Sequence, residues 1–133
     1  MKLQNNVFFN QNFTAAFQRL LSFEFDSTVT VRIIKSVKIL DEQQYAVMLT
    51  RDKLLKTYTA INEDGTIKYN NGIVMFPTTE NRKKFEEQFN ELIRDEFEIP
   101  LQEKIKLTKV HKINGNFLEA LDNIVEVIDD GGN

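Results

Sequence analysis

Residues 60–76, AINEDGTIKYNNGIVMF, form the stretch of this chain that most resembles a cation loop. Asn62 and Asp64 converge on Gly65, and a second amide–glycine pair follows at Asn71–Gly72. A calcium loop of the EF-hand kind needs oxygen ligands at positions 1, 3 and 5, glycine at 6, an apolar residue at 8 and a bidentate glutamate at 12. With Gly65 at position 6, Asn62, Asp64 and Ile67 fit positions 3, 5 and 8, but Ala60 and Asn71 fall where the strongest ligands belong. One carboxylate is too few for a hard divalent cation. The simpler expectation is an Asp-Gly turn after a helix and an Asn-Gly turn joining two short strands. No metal and no cofactor is expected.

His111 is the single histidine, and its nearest acidic neighbours in sequence are Glu103 and Glu119. No cysteine accompanies it, and no serine sits in a nucleophile elbow. A structural or solvated histidine is the expectation. The chain lacks a phosphate-binding glycine loop, a dinucleotide fingerprint and a zinc-protease H-E-x-x-H, and its five glycines fall mostly in turns. Adjacent carboxylates such as Glu86–Glu87 and Asp95–Glu96 belong to a solvated helix face rather than to a glycosidase pair. No catalytic residue is assigned, and the expectation is a protein that is not an enzyme.

Composition narrows the class further. A chain of 133 residues with 41% hydrophobic and 28% charged residues is expected to fold as one domain over residues 1–130, with a polar, frayed tail at 131–133. The absence of cysteine excludes disulfides, thiol catalysis, iron–sulfur clusters and thiolate zinc sites, and fits a reducing compartment. No apolar run reaches the length of a signal peptide or a membrane span, so a soluble intracellular product is expected. The net charge of −3 divides into +2 over residues 1–70 and −5 over residues 71–133. Arg32, Lys35 and Lys38 form the best basic trio, but a solvated helix surface explains their spacing, and no nucleic-acid partner is expected.

The elements follow from periodicity. Phe13, Phe17, Leu20 and Leu21 mark a first helix capped by Asn12. Ile33, Val37, Leu40, Met48, Leu55 and Tyr58 mark a long second helix over about residues 28–58, despite the β-branched opening STVTVRII. Phe85, Phe89, Leu92, Ile93 and Phe97 mark a third, after Pro77. Phe117, Leu121, Ile124 and Ile128 mark a fourth, with Asn116 and Glu119 at capping-box spacing. Strands are expected in TIKYNNGIVMF and in EIPLQEKIKLTKV, whose lysines alternate with Ile105 and Leu107 as in a protected edge. The fold class is α+β, mainly helical, with about four helices, one of them long, and a small antiparallel β-hairpin or sheet.

Eleven phenylalanines and no tryptophan put the aromatic surface into residues without a polar handle. Six of them lie in the first twenty-five residues, more than one short helix readily covers. A helix of thirty residues, roughly 45 Å long, also outruns a small core. The first expectation for these rings is that they fill the core against the long helix; the alternative, with some of them exposed for assembly, puts a partner-contact surface on Phe8, Phe9, Phe13, Val37, Leu40 and Met48.

The order of pieces resembles a family of small, uncharacterised proteins of tailed bacteriophages. The matching pieces are Lys53–Tyr58, the acidic turn Glu63–Gly65, the amphipathic Phe85–Leu92, the extended Glu98–Leu107 and the terminal Phe117–Asp130, over roughly residues 30–130. The chain departs from the pattern at STVTVRII and in its phenylalanine-rich start. The resemblance implies a phage gene product with no established activity and no functional residues to carry over, expected in the host cytoplasm or the virion. Its expected role is virion structure or assembly through protein–protein contacts, as a homo-oligomer or with other phage proteins. The alternative is a host-directed inhibitor, for anti-defence or takeover, that uses the acidic C-terminal half against a basic host surface. No membrane partner is expected.

Overall fold

The structure, a computed structural model, describes residues 1–108, 111 and 115–128. Among these residues it contains four α-helices, one of them long, and three pairs of short strands, the α+β class expected. Backbone packing divides the chain into two compact units. One is built from Met1–Gln43 and the segment from Glu96 onward, the other from Gln44–Asp95, so the division falls inside the long helix. The tail expected to fray lies outside the described residues.

In the first unit, strand β1 (Lys2–Gln4) pairs antiparallel with β4 (Glu96–Glu98), setting Leu3 opposite Phe97. Met1 extends the ladder: its amine donates to the carbonyls of Ile99 and Leu101 at 3.0 and 2.7 Å, and the Ile99 N–H donates back to Met1. A 3-10 turn (Asn5–Phe9) leads to α1 (Phe13–Arg19) and a second 3-10 turn (Leu20–Ser22). Asn12 stands at the N-cap of α1 as expected, although its side chain accepts no capping bond. Phe13, Ala16, Phe17 and Leu20 face inward, whereas Leu21, assigned to that face from the sequence, is exposed.

Helix α2 (Ser27–Tyr58) begins where Asp26 accepts a hydrogen bond from the Val29 N–H at 2.9 Å, which satisfies one of the free donors of its first turn. Ile33, Ser36, Leu40 and Val47 lie buried along one side. The hydroxyl of the buried Ser36 is spent on the Arg32 carbonyl one turn back. Asn5, also buried, is held by an amide hydrogen bond from Gln43 at 2.9 Å, which ties the N-terminal turn to α2.

Strand β5 (Ile105–Leu107) buries Ile105 and Leu107 and exposes Lys106, the alternation read from the sequence. It pairs parallel with β6 (Val125–Val127), an arrangement additional to the antiparallel pairs expected. Parallel neighbours need a long connection. Residues 108–124 supply it, including α4 (Gly115–Ala120). The fourth helix expected from the sequence is therefore cut short. It starts at Gly115, before the proposed cap Asn116, and ends at Ala120, and the β-branched, alternating IVEVI takes a turn and then the strand.

The second unit holds the C-terminal half of α2, an antiparallel hairpin β2 (Tyr69–Asn70) and β3 (Ile73–Val74), and α3 (Thr79–Arg94). Thr78 caps α3 by accepting from the Asn81 N–H at 3.0 Å. Asn81 donates to the Tyr58 carbonyl at 3.2 Å and Gln88 to the Tyr58 hydroxyl at 2.6 Å. Phe85 stacks on Phe89 and touches Phe76. Phe97, expected to close this helical face, instead lies in β4 and stacks on Phe8 at 5.4 Å in the first unit. Among the described residues, Val47 is the one apolar side chain of the second unit that is fully buried; the first unit carries the rest of the core.

Phe17 is wholly covered and touches Phe13. Phe17→Ala is therefore expected to cost about 3–5 kcal/mol in urea unfolding followed by far-UV circular dichroism. Phe9→Ala, removing a ring that is 36% exposed, should stay within about 1 kcal/mol. Equal losses at the two positions would refute this assignment of core and surface.

Candidate interaction surface

The loop that resembled a cation site is occupied by its own hydrogen bonds. Asp64 Oδ1 accepts from the Thr66 hydroxyl at 2.6 Å and from the Thr66 N–H at 3.0 Å. Asn62 Nδ2 donates to Thr66 Oγ1 at 3.0 Å and to the Ile67 carbonyl at 3.4 Å. Gly65 at φ +85° makes the reversal, an angle that costs a side chain strain. Asn71 and Gly72, at φ +52° and +77°, join Tyr69–Asn70 to Ile73–Val74. Two consecutive positive φ values in a two-residue loop are the type I′ geometry whose twist suits a hairpin. Both turns read from the sequence are present. Among the described residues, no group of three or more His, Cys, Asp or Glu is placed to hold a metal ion.

His111 is packed rather than poised. Its ring stacks on Phe25 at 5.6 Å and meets Phe23 edge-on at 5.2 Å. Nδ1 accepts the Thr108 N–H at 2.8 Å, so the neutral ring carries its proton on Nε2. The same aromatic group continues through Phe117, 5.9 Å from Phe23, with the Arg19 guanidinium 6.0 Å above the Phe117 ring. Here the ring contributes aromatic packing and anchors the backbone at Thr108.

A groove of about 940 Å³ in the first unit is lined by Thr28, Arg32, Lys35, Glu98 and Leu101, among others. It presents both signs of charge. Among the described residues no buried side-chain polar atom lacks a hydrogen-bond partner, so no unsatisfied group in its wall calls for a ligand.

The six residues assigned to a partner surface are not brought together as one. Phe8, Phe13 and Leu40 are core. Phe8 is enclosed by Phe13 and Phe97, and Leu40 lies on the buried side of α2, so none of the three offers area to a partner. That correction reflects how well β4 and α1 cover the N-terminal rings. Val37 and Met48 are half-buried, and Phe9 is exposed.

Large apolar side chains are exposed singly at Leu21, Ile61, Tyr69, Ile73 and Val127, and as a group on α2, opposite its buried side. Val31, Ile34, Tyr45 and Leu49 are 48, 53, 72 and 44% exposed. Sequence reading followed one stripe along this helix and passed over the second. A signal was present: Val31 with Ile34 and Tyr45 with Leu49 stand three and four apart, the spacings of one helical face. Comparison with protein-family models, with curated proteins and with solved structures finds no match to this chain.

The Thr66 hydroxyl, and secondarily its N–H, stabilises the ionised Asp64 carboxylate and holds its pKa below the ordinary value of 3.8. A carboxylate depressed in the folded state adds stability above its unfolded pKa, and that stability is lost as pH falls through the folded one. In a carbon-13 NMR titration, Asp64 is expected to titrate below 3.8 and Thr66→Val to move it back upward. A midpoint indifferent to Thr66→Val would disprove the closed turn.

Proposed function

We propose that this chain is a non-enzymatic bacteriophage protein that works through protein–protein contacts, most specifically as a virion structural or assembly component. The observation that carries the reading is the uncovered apolar side of α2, with Ile34 and Tyr45 more than half exposed on a helix whose other side is already satisfied by the core. Large apolar side chains grouped on one exposed face mark contact surfaces in soluble proteins. The phage attribution rests on the resemblance of residues 30–130 to small tailed-phage proteins.

The packing of the candidate chemical groups is consistent with this reading. Asp64 and Asn62 serve a turn, and His111 serves an aromatic cluster. Among the described residues no helix is long and apolar enough to cross a membrane. The acidic balance of residues 71–133 supports a second role against a basic host protein, which the same experiment separates from assembly.

Tagged chain expressed in phage-infected cells is expected to capture capsid or tail proteins and to be detected by mass spectrometry in purified particles or their precursors. Ile34→Lys combined with Tyr45→Lys should lower capture by about tenfold or more, with an unchanged circular dichroism spectrum. Recovery of one host enzyme and no phage protein would replace assembly with host inhibition. Capture indifferent to the α2 substitutions would remove the face from the argument.

A further inference from the structure

The charges on the exposed side of α2 specify what covers it. Val31, Lys38 and Tyr45 are seven residues apart, and so are Ile34, Asp41 and Met48. The two series interleave at spacings of three and four, the seam along which two helices pack side by side. Met48 is half-buried and the other five are exposed, so this face is apolar at both ends and charged in the middle, with the cation preceding the anion.

We infer that a second copy of this chain covers this face, its α2 running antiparallel to the first about a two-fold axis between Lys38 and Asp41. The inference rests on the reading of the chain as a contact-making protein and names its first partner. In this register Val31 meets the second copy's Met48, Ile34 meets Tyr45, and Lys38 meets Asp41. The two-fold repeats each pairing in the other direction, as a self-complementary interface requires. Lys35 and Glu42 flank the centre and come within reach of each other's counterparts.

Two observations select this arrangement over its rivals. In a parallel pairing of the same seam Lys38 would face Lys38 and Asp41 would face Asp41, and directly opposed like charges are destabilising. Only the antiparallel register turns both into opposite-charge contacts while matching apolar ends to apolar ends. Second, Lys35, Lys38, Asp41 and Glu42 make no ion pair within the chain among the described residues. Lys38 and Glu42 are four apart, but in the order, cation before anion, that a helix favours less. All four of these charges are exposed, although Lys35 also lines the groove beside Glu98.

The test uses the full chain. Sedimentation equilibrium up to about 1 mM should show a monomer–dimer equilibrium, with a dissociation constant on the order of micromolar for a seam this short. Lys38→Glu and Asp41→Lys should each weaken it by about tenfold or more, since each sets like charges opposed twice per dimer. An equimolar mixture of the two variants, and the double variant K38E/D41K, should both restore it. With no native cysteine in the chain, oxidation of an Ile34→Cys and Tyr45→Cys mixture should give the mixed disulfide in preference to either homodimer. All these positions are exposed, so circular dichroism should confirm that each variant folds. A strictly monomeric wild type overturns the pairing and leaves capture of phage proteins standing as a separate result. A dimer insensitive to both charge reversals, or one cross-linked 34 to 34, overturns it equally.

Discussion

A helix has a circumference, and a small core can cover only one side of it. Helix α2, 32 residues and about 48 Å long, has apolar residues on two opposite sides. Ile33, Leu40 and Val47 are buried on one, while Val31, Ile34 and Tyr45 are exposed on the other. The buried side is what makes the segment a helix at all. Its opening is dense in β-branched residues, each costing up to about 0.7 kcal/mol of helix propensity relative to alanine, or roughly 3 kcal/mol over the first two turns. Burying Ile33 and Leu40 gains about 1.5–3 kcal/mol each, and the Asp26 cap adds about 1 kcal/mol more. Tertiary burial therefore outweighs local preference. The outer side, with Val31 and Ile34 about half exposed, receives much less of that return among the described residues.

The core is also unevenly distributed. The first unit encloses Phe8, Phe13, Phe17 and the β5–β6 face, whereas the second fully encloses only Val47 among its described apolar side chains. Helix α3 is amphipathic by sequence, yet Phe85, Phe89, Leu92 and Ile93 are only half-covered. Its cohesion comes from ring contacts, the Thr78 cap and the bonds of Asn81 and Gln88 to Tyr58. The exposed Arg82–Glu86 and Lys84–Glu80 pairs add only about 0.3–0.5 kcal/mol each. Stability is set by buried area and enclosed hydrogen bonds, so opening free energies should be lowest in this second unit.

How much of this was legible in the sequence depended on whether a signal was local. The spacing of Phe13 and Phe17, of Ile33 and Leu40, and of Phe85 and Phe89 marks three helices because a helical face repeats within one or two turns. Asn71–Gly72 marks its hairpin because only a few residue types adopt two successive positive φ values. Strand β1 left no such mark: it is three residues with one inward side chain, and its partner β4 (Glu96–Glu98) is far away along the chain. Met1, Leu3 and Phe97 acquire their roles only from that long-range pairing, as Phe8 acquires its cover. The fourth helix was overextended because Phe117, Leu121, Ile124 and Ile128 fit a helical period while Val125, Glu126 and Val127 also fit a strand, and pairing with β5 decided between them. The exposed face of α2 was missed for a different reason. Periodicity reports that a stripe exists, but not which of two stripes the core takes.

The charged centre of that face also explains how so much apolar area can remain uncovered. An unbroken stripe from Val31 to Leu49 would be a continuous sticky strip, the kind of surface that aggregates without register. Lys38 and Asp41 interrupt it and leave two smaller patches, Val31 with Ile34 and Tyr45 with Leu49, each flanked by water-facing charge. Neither patch alone holds a partner against the entropy of association. Engaging both at once requires a partner whose own charges fall opposite these, and hydrophobic contact cannot supply that condition because it is indifferent to direction. The apolar ends therefore provide the drive to associate, and the central ion pairs provide its polarity. Salt would weaken the second far more than the first. In the proposed pairing, a face built this way would stay dispersed when dilute and select one geometry when concentrated.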